Sequence, residues 1–115
     1  MADCLFCRIV AGEVPATIVK RSEDAVAFRD IDPRAPTHVL VIPTGHVSSV
    51  RDARGAAGEA MMGRLLAFAA EVAAEEGLDG GGYRIVTNTG PDAGQSVDHL
   101  HFHLLGGRRL SWPPG

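Results

Sequence analysis

His99, His101 and His103 stand at alternate positions near the end of the chain. Imidazole near neutral pH can act as nucleophile, proton carrier or metal ligand. In an extended segment, residues two apart share a face, so the three rings would line one side while Leu100, Phe102 and Leu104 anchor the other in a core. Reach excludes one zinc ion held by all three. At about 3.3 Å per residue the outer pair are roughly 13 Å apart along the strand, whereas zinc ligands lie only about 2 Å from their metal. Two arrangements remain open. Neighbouring histidines such as His99 and His101 could chelate an ion that activates water, or one imidazole attacks while the others orient it and bind anionic oxygens. The loop from Thr89 to Ser96 adds weight to the second, because Gly94 lets backbone approach a ligand and Gln95 and Ser96 offer donors, as in a small phosphate cradle.

The two other histidines are His38 and His46, and both cysteines fall in one Cys4-x-x-Cys7 motif. That spacing closes no useful loop, so a disulfide scaffold is excluded and metal or redox chemistry remains. The 115 residues, 45% hydrophobic and 22% charged, fit one globular domain over 1–115. Scattered basic residues and a net charge of -3 argue against a nucleic-acid partner. The start of the chain has neither a leader pattern nor a membrane-spanning run, which makes a cytoplasmic protein the expectation.

The elements that must position these groups follow from periodicity. Leu5, Phe6, Ile9 and Val10 give a short helix over Cys4 to Gly12. Thr17–Arg21 and Ala25–Ile31 read as a hairpin, Asp32 to Pro36 as a loop broken by prolines, and His38–Pro43 as a buried strand. From Ala56 to Glu76, Met61, Leu65, Phe68 and Val72 mark the one long amphipathic helix, with Met62, Leu66, Ala69 and Ala73 running alongside. Tyr83–Asn88 and Asp98–Leu105 complete the strands. The tally is α+β: about five mainly antiparallel strands, one long and one short helix, with the helices on one side. The closing segment carries the only tryptophan, Trp112, which is expected to dock on its own domain or on a partner subunit.

The run His99-Leu-His-Phe-His-Leu-Leu105 resembles the His-φ-His-φ-His-φ-φ signature of the histidine-triad (HIT) superfamily, and the chain is similar to its Hint branch of nucleotide-binding proteins. Ala27-Phe-Arg-Asp-Ile31, Ala35-Pro-Thr-His-Val-Leu-Val-Ile-Pro43, Gly94-Gln-Ser-Val97 and Trp112-Pro-Pro-Gly115 carry the likeness along nearly the whole chain. The resemblance implies hydrolysis of purine nucleoside phosphoramidates or aminoacyl-adenylate-like substrates through a nucleotidyl-histidine. His101 would be the nucleophile and His103 a phosphate contact, with Ser96 near the leaving group, His38 in support, and His99 positioning the nucleophile or serving a metal. Asp30 would hold the ribose hydroxyls, Leu5, Phe6, Ile9, Phe28 and Ile31 the base, and Asn88 with the Gly94-Gln95-Ser96 backbone the phosphate. The resemblance also implies a homodimer with a continuous sheet, Trp112 reaching across, and in part of the branch a structural zinc on Cys4, Cys7, His46 and His99. Two unligated thiols are the other reading of that motif, and no metal is required for hydrolysis. A nucleotide-binding regulator with incidental hydrolysis stands beside the enzyme reading.

Overall fold

The computed structural model describes residues 3–115; the first two residues of the domain expected over 1–115 lie outside it. Helix α1 (Leu5–Val10) is followed by strands β1 (Ile18–Arg21), β2 (Ala25–Arg29) and β3 (Thr37–Pro43). A single 3₁₀ turn (Val50–Asp52) leads into helix α2 (Gly55–Glu75), and β4 (Tyr83–Val86) and β5 (Phe102–Gly106) close the chain. The five strands form one antiparallel sheet in the order β1-β2-β3-β5-β4. No helix among the described residues is long and apolar enough to cross a membrane.

Strand β2 shows why the sheet has helices on both faces rather than on the expected one. Its small side chains, Ala25 and Ala27, lie under α2, where Leu65, Phe68 and Val72 pack with Val39, Val41, Phe102 and Leu104. Its large ones, Val26 and Phe28, point the other way and join Leu40 and Ile42. Both faces of β2 and β3 are therefore apolar, and each must be covered. Helix α1 covers the second with Phe6 and Ile9, three positions apart on one helical face. On α2 the buried stripe is Leu65, Phe68, Ala69, Val72 and Ala73; Leu66, expected beside it, is exposed. The start of α2 requires glycine at 58, since a Cβ there would lie 2.2 Å from the Ala53 carbonyl oxygen.

The histidine segment departs from the strand expected over Asp98–Leu105, because ladder pairing begins only at Phe102. Ahead of it the backbone bonds elsewhere. The Leu100 N–H donates to the Val47 carbonyl, and the Thr87 hydroxyl donates to the carbonyl of His101. The division by face survives this irregularity. Leu100, Phe102 and Leu104 enter the α2 core, while the rings of His99 and His101 meet Phe6 of α1 edge-on.

Candidate active site

On the α1 face, hydrogen bonds assign a tautomer to each buried histidine. His101 is 3% exposed, and its Nδ1 lies 2.7 Å from the carbonyl oxygen of His99. A carbonyl only accepts, so Nδ1 carries the proton and Nε2 keeps a free lone pair. The ring of His103 is 5.0 Å away, centroid to centroid. His38 accepts the Arg34 backbone N–H at Nδ1, at 3.0 Å, which puts its own proton on Nε2. That Nε2–H donates to Nδ1 of His103 at 2.9 Å, leaving His103 with its proton on Nε2. A chain of two bonds thus sets the outer nitrogen of His103 as a donor beside the lone pair of His101. Burial and the neighbouring imidazoles push the pKa of His103 down to about 4, and burial lowers that of His38 despite Asp30. Both stay neutral near pH 7. Asp30 Oδ2 stands 3.4 Å from His38 Nε2, and its Oδ1 accepts the backbone N–H of Asp32.

His99 faces a different set. Its Nε2–H donates to the Pro43 carbonyl at 3.0 Å, so Nδ1 is free, lying 3.3 Å from Cys4 Sγ and 3.5 Å from Cys7 Sγ. His46 Nδ1 is 3.4 Å from Cys7 Sγ, and one donor atom from each of these four residues lies within 4.8 Å of every other. Bond lengths of about 2.05 and 2.3 Å around tetrahedral zinc place nitrogen and sulfur about 3.6 Å apart. The two thiols and two imidazoles therefore fit that ion in both donor type and spacing. The Pro43 carbonyl supplies the outer hydrogen bond that fixes a ligating imidazole's tautomer. Burial and the adjacent Cys4 raise the pKa of the Cys7 thiol, a penalty on charge that a bound cation would offset. Among the described residues no candidate metal cluster unites the three histidines of the triad.

Between α1 and the sheet lies a cavity of about 310 Å³. Phe6, Ile9, Phe28 and Leu40 are its buried floor, Leu5 and the fully exposed Ile31 its rim, and Asp30 and Ser96 its polar edge. An apolar slot with a carboxylate at one end suits a flat base joined to a sugar diol.

The HIT domain family model matches residues 11–110. The chain belongs to the HIT family. It is 46% identical to a 14 kDa zinc-binding protein of Zea mays, over 96% of this chain and 87% of that one. Among solved structures it superposes on a HIT family hydrolase from Legionella pneumophila with a TM-score of 0.95 and 46% identity, covering 98% of this chain and all of the other. A histidine triad nucleotide-binding protein from Candida albicans matches with a TM-score of 0.82 and 30% identity, over 96% and 83% of the two chains.

In this HIT protein the residues singled out from the sequence fall into three groups. His38, His101, His103 and Asp30 form one constellation; Cys4, Cys7, His46 and His99 form another; Phe6, Ile9, Phe28, Ile31 and Ser96 line the cavity. Asn88 lies apart from that cavity, beyond His103 toward β4. The phosphate cradle expected of Gly94 and Gln95 needs correction. Their N–H groups donate to the carbonyls of Pro91 and Gly90, and the Gln95 amide bridges Ser48, Val97 and Gly90, so this stretch braces its own loop. Gly94 serves a backbone φ of +78° in that turn. Trp112 is 79% exposed, with the Arg84 guanidinium 5.8 Å from its ring centre. Sequence reasoning missed Leu40 as cavity floor and the Arg34 N–H and Pro43 carbonyl as tautomer-setting groups. The alternation His38, Leu40, Ile42 held the first signal; backbone partners leave no trace in residue type.

Proposed function

We propose that this protein is a Hint-type hydrolase that cleaves the P–N bond of purine nucleoside 5′-phosphoramidates through a nucleotidyl group on His101. The observation that carries the reading is the 2.7 Å bond from His101 Nδ1–H to the His99 carbonyl, because it leaves Nε2 as an uncommitted nucleophile. The hydrolase and nucleotide-binding relatives support it at the level of the family. The base occupies the slot over Phe6, Ile9, Phe28 and Leu40, and the ribose hydroxyls reach Asp30. His103 Nε2–H donates to a phosphoryl oxygen, where charge accumulates as Nε2 of His101 attacks. The bond from phosphorus to the amine breaks with its electron pair on nitrogen. That nitrogen takes a proton from solvent by way of the Ser96 hydroxyl. The His99 carbonyl steadies the positive charge that grows on the His101 ring. Water then displaces the imidazole and the nucleoside monophosphate leaves.

Cys4, Cys7, His46 and His99 would hold zinc as a structural clamp that fastens α1 to the histidine segment. The reading includes a second copy of the chain joined along β4, an edge strand whose Tyr83 is 38% exposed. Stereochemistry tests the covalent route. Two in-line displacements return the phosphorus to its starting configuration, so a phosphoramidate made chiral with sulfur should be hydrolysed with retention; inversion would mean direct attack by water.

A further inference from the structure

A structural clamp uses the Cys4-x-x-Cys7 pair without exhausting its chemistry, because thiolates that bind a cation are also nucleophiles. Both sulfurs belong to the first turn of α1. Cys4 caps the helix, its sulfur accepting the backbone N–H of Cys7 at 3.3 Å. Both thiols are free and half-buried, so a small reagent can reach them. Their imidazole partners belong to other parts of the chain, His99 to the histidine segment and His46 to the stretch after β3. Every contact these sulfurs make with His46 or His99 therefore ties α1 to another element.

Helix α1 depends on such ties. Six residues are too few for a helix to persist by itself, and only Phe6 and Ile9 of its side chains are buried. The same two side chains floor the cavity of about 310 Å³, and the Phe6 ring stands 5.1 Å from that of His101. The sulfurs of Cys4 and Cys7 lie within 4.8 Å of each other. A disulfide, about 2.05 Å long, would join two residues of one helical turn and withdraw both sulfurs from His46 and His99. A tie between elements would become a tie within one.

Resting on the reading that a nucleotide fills that cavity, we propose that Cys4 and Cys7 are a thiol–disulfide switch, set by small-molecule disulfides, that lowers nucleotide affinity when oxidised. One cysteine thiolate attacks a sulfur of the reagent, forming a mixed disulfide and expelling a thiolate; the second attacks the protein sulfur of that bond and expels another. The cysteines lose two electrons and the reagent gains them. The two departing thiolates take up protons from the cysteine thiols or, where a cation held the sulfurs, from solvent. A disulfide carries no charge with which to hold a cation. The nucleophile keeps its support, because the His99 Nε2–H still donates to the Pro43 carbonyl and the His99 carbonyl still accepts from His101. The loss falls on the base slot, whose floor moves with α1. Linkage makes the effect mutual: a nucleotide packed on Phe6 and Ile9 favours the reduced pair by the factor through which oxidation weakens its binding.

The test equilibrates zinc-loaded protein in glutathione buffers of graded potential at fixed free zinc, and reads intact mass, bound zinc and AMP binding by calorimetry. Oxidation should remove two hydrogens from the mass, release the zinc and weaken AMP binding about tenfold, less than the full worth of one buried apolar side chain. Saturating AMP should raise the midpoint potential by about 30 mV, the same tenfold for a two-electron couple. A Cys4→Ser/Cys7→Ser protein should bind AMP with an affinity that no buffer changes. Equal AMP affinity of the two wild-type forms, a disulfide that leaves zinc bound, or glutathione adducts without a Cys4–Cys7 bond would overturn the switch. If reduced protein fails to bind AMP, the nucleotide reading falls, and amide exchange in α1 decides the switch alone. Faster exchange on oxidation supports it, and unchanged exchange ends it.

Discussion

The two histidine clusters lie side by side under α1, yet they use the imidazole in opposite ways. In the Cys4, Cys7, His46 and His99 set, donor atoms converge on one point, as a cation site demands. In the His38, His101 and His103 set, His38 is bonded at both nitrogens and holds His103 at Nδ1, while the His99 carbonyl holds His101 at Nδ1, so His101 and His103 each keep one nitrogen uncommitted, as reacting groups must. His99 belongs to both. Its side chain faces the thiols while its carbonyl accepts from Nδ1 of His101, so whatever holds His99 also fixes the orientation of the His101 ring. The comparison teaches that alternate residues on one short segment can serve separate sites when their second nitrogens have different partners.

Breaking the reactive cluster should have the largest effect. His101→Ala is expected to lower kcat by more than about a thousandfold, with thermal unfolding little changed, since loss of a nucleophile removes the covalent route. Breaking the convergent cluster should do the reverse. Chelation with verified metal removal, or Cys4→Ala, should lower stability by several kcal/mol while turnover measured well below the melting temperature persists. Loss of turnover in step with metal would instead favour an ion-activated water held by His99.

Asp30→Ala sharpens the boundary between nucleoside and phosphoryl recognition. It should weaken nucleotide binding by about 1–3 kcal/mol and leave the fold intact; unchanged affinity by calorimetry would remove Asp30 from the ribose site. The smallest effect is the pH dependence of the reactive cluster. His103 has a pKa of about 4 when folded against 6.5 as an ordinary histidine, so the unfolded chain binds its proton first. Its contribution to stability is intact above pH 6.5 and is lost as pH falls toward 4. NMR titration should find His103 neutral at pH 5, and His103→Gln should flatten part of the acid limb of stability.

Much of this arrangement was legible in residue order. The spacing of Leu65, Phe68 and Val72 specifies α2, and the alternation about His101 separates a functional face from a core face, because side-chain direction follows backbone period. The site residues could be named through the HIT signature, but not how each is held. Phe6 and Ile9 read equally well as core or cleft, and they are both: they close the second core and floor the cavity. Placing both helices on one side failed because the pattern of β2, Ala-Val-Ala-Phe, hides two apolar faces of different depth behind one short run. Gln95 looked like a ligand donor, but its amide bonds are spent on Ser48, Val97 and Gly90. Such partners come from distant backbone, which composition does not reveal.

The central claim concerns one nitrogen atom, Nε2 of His101. Protein mixed with adenosine 5′-phosphoramidate, quenched during turnover and mapped by peptide mass spectrometry, tests it most directly. One adenylyl group on His101, absent from His101→Ala, is the expected result. An adduct on another residue, or undiminished turnover by the variant, would contradict it.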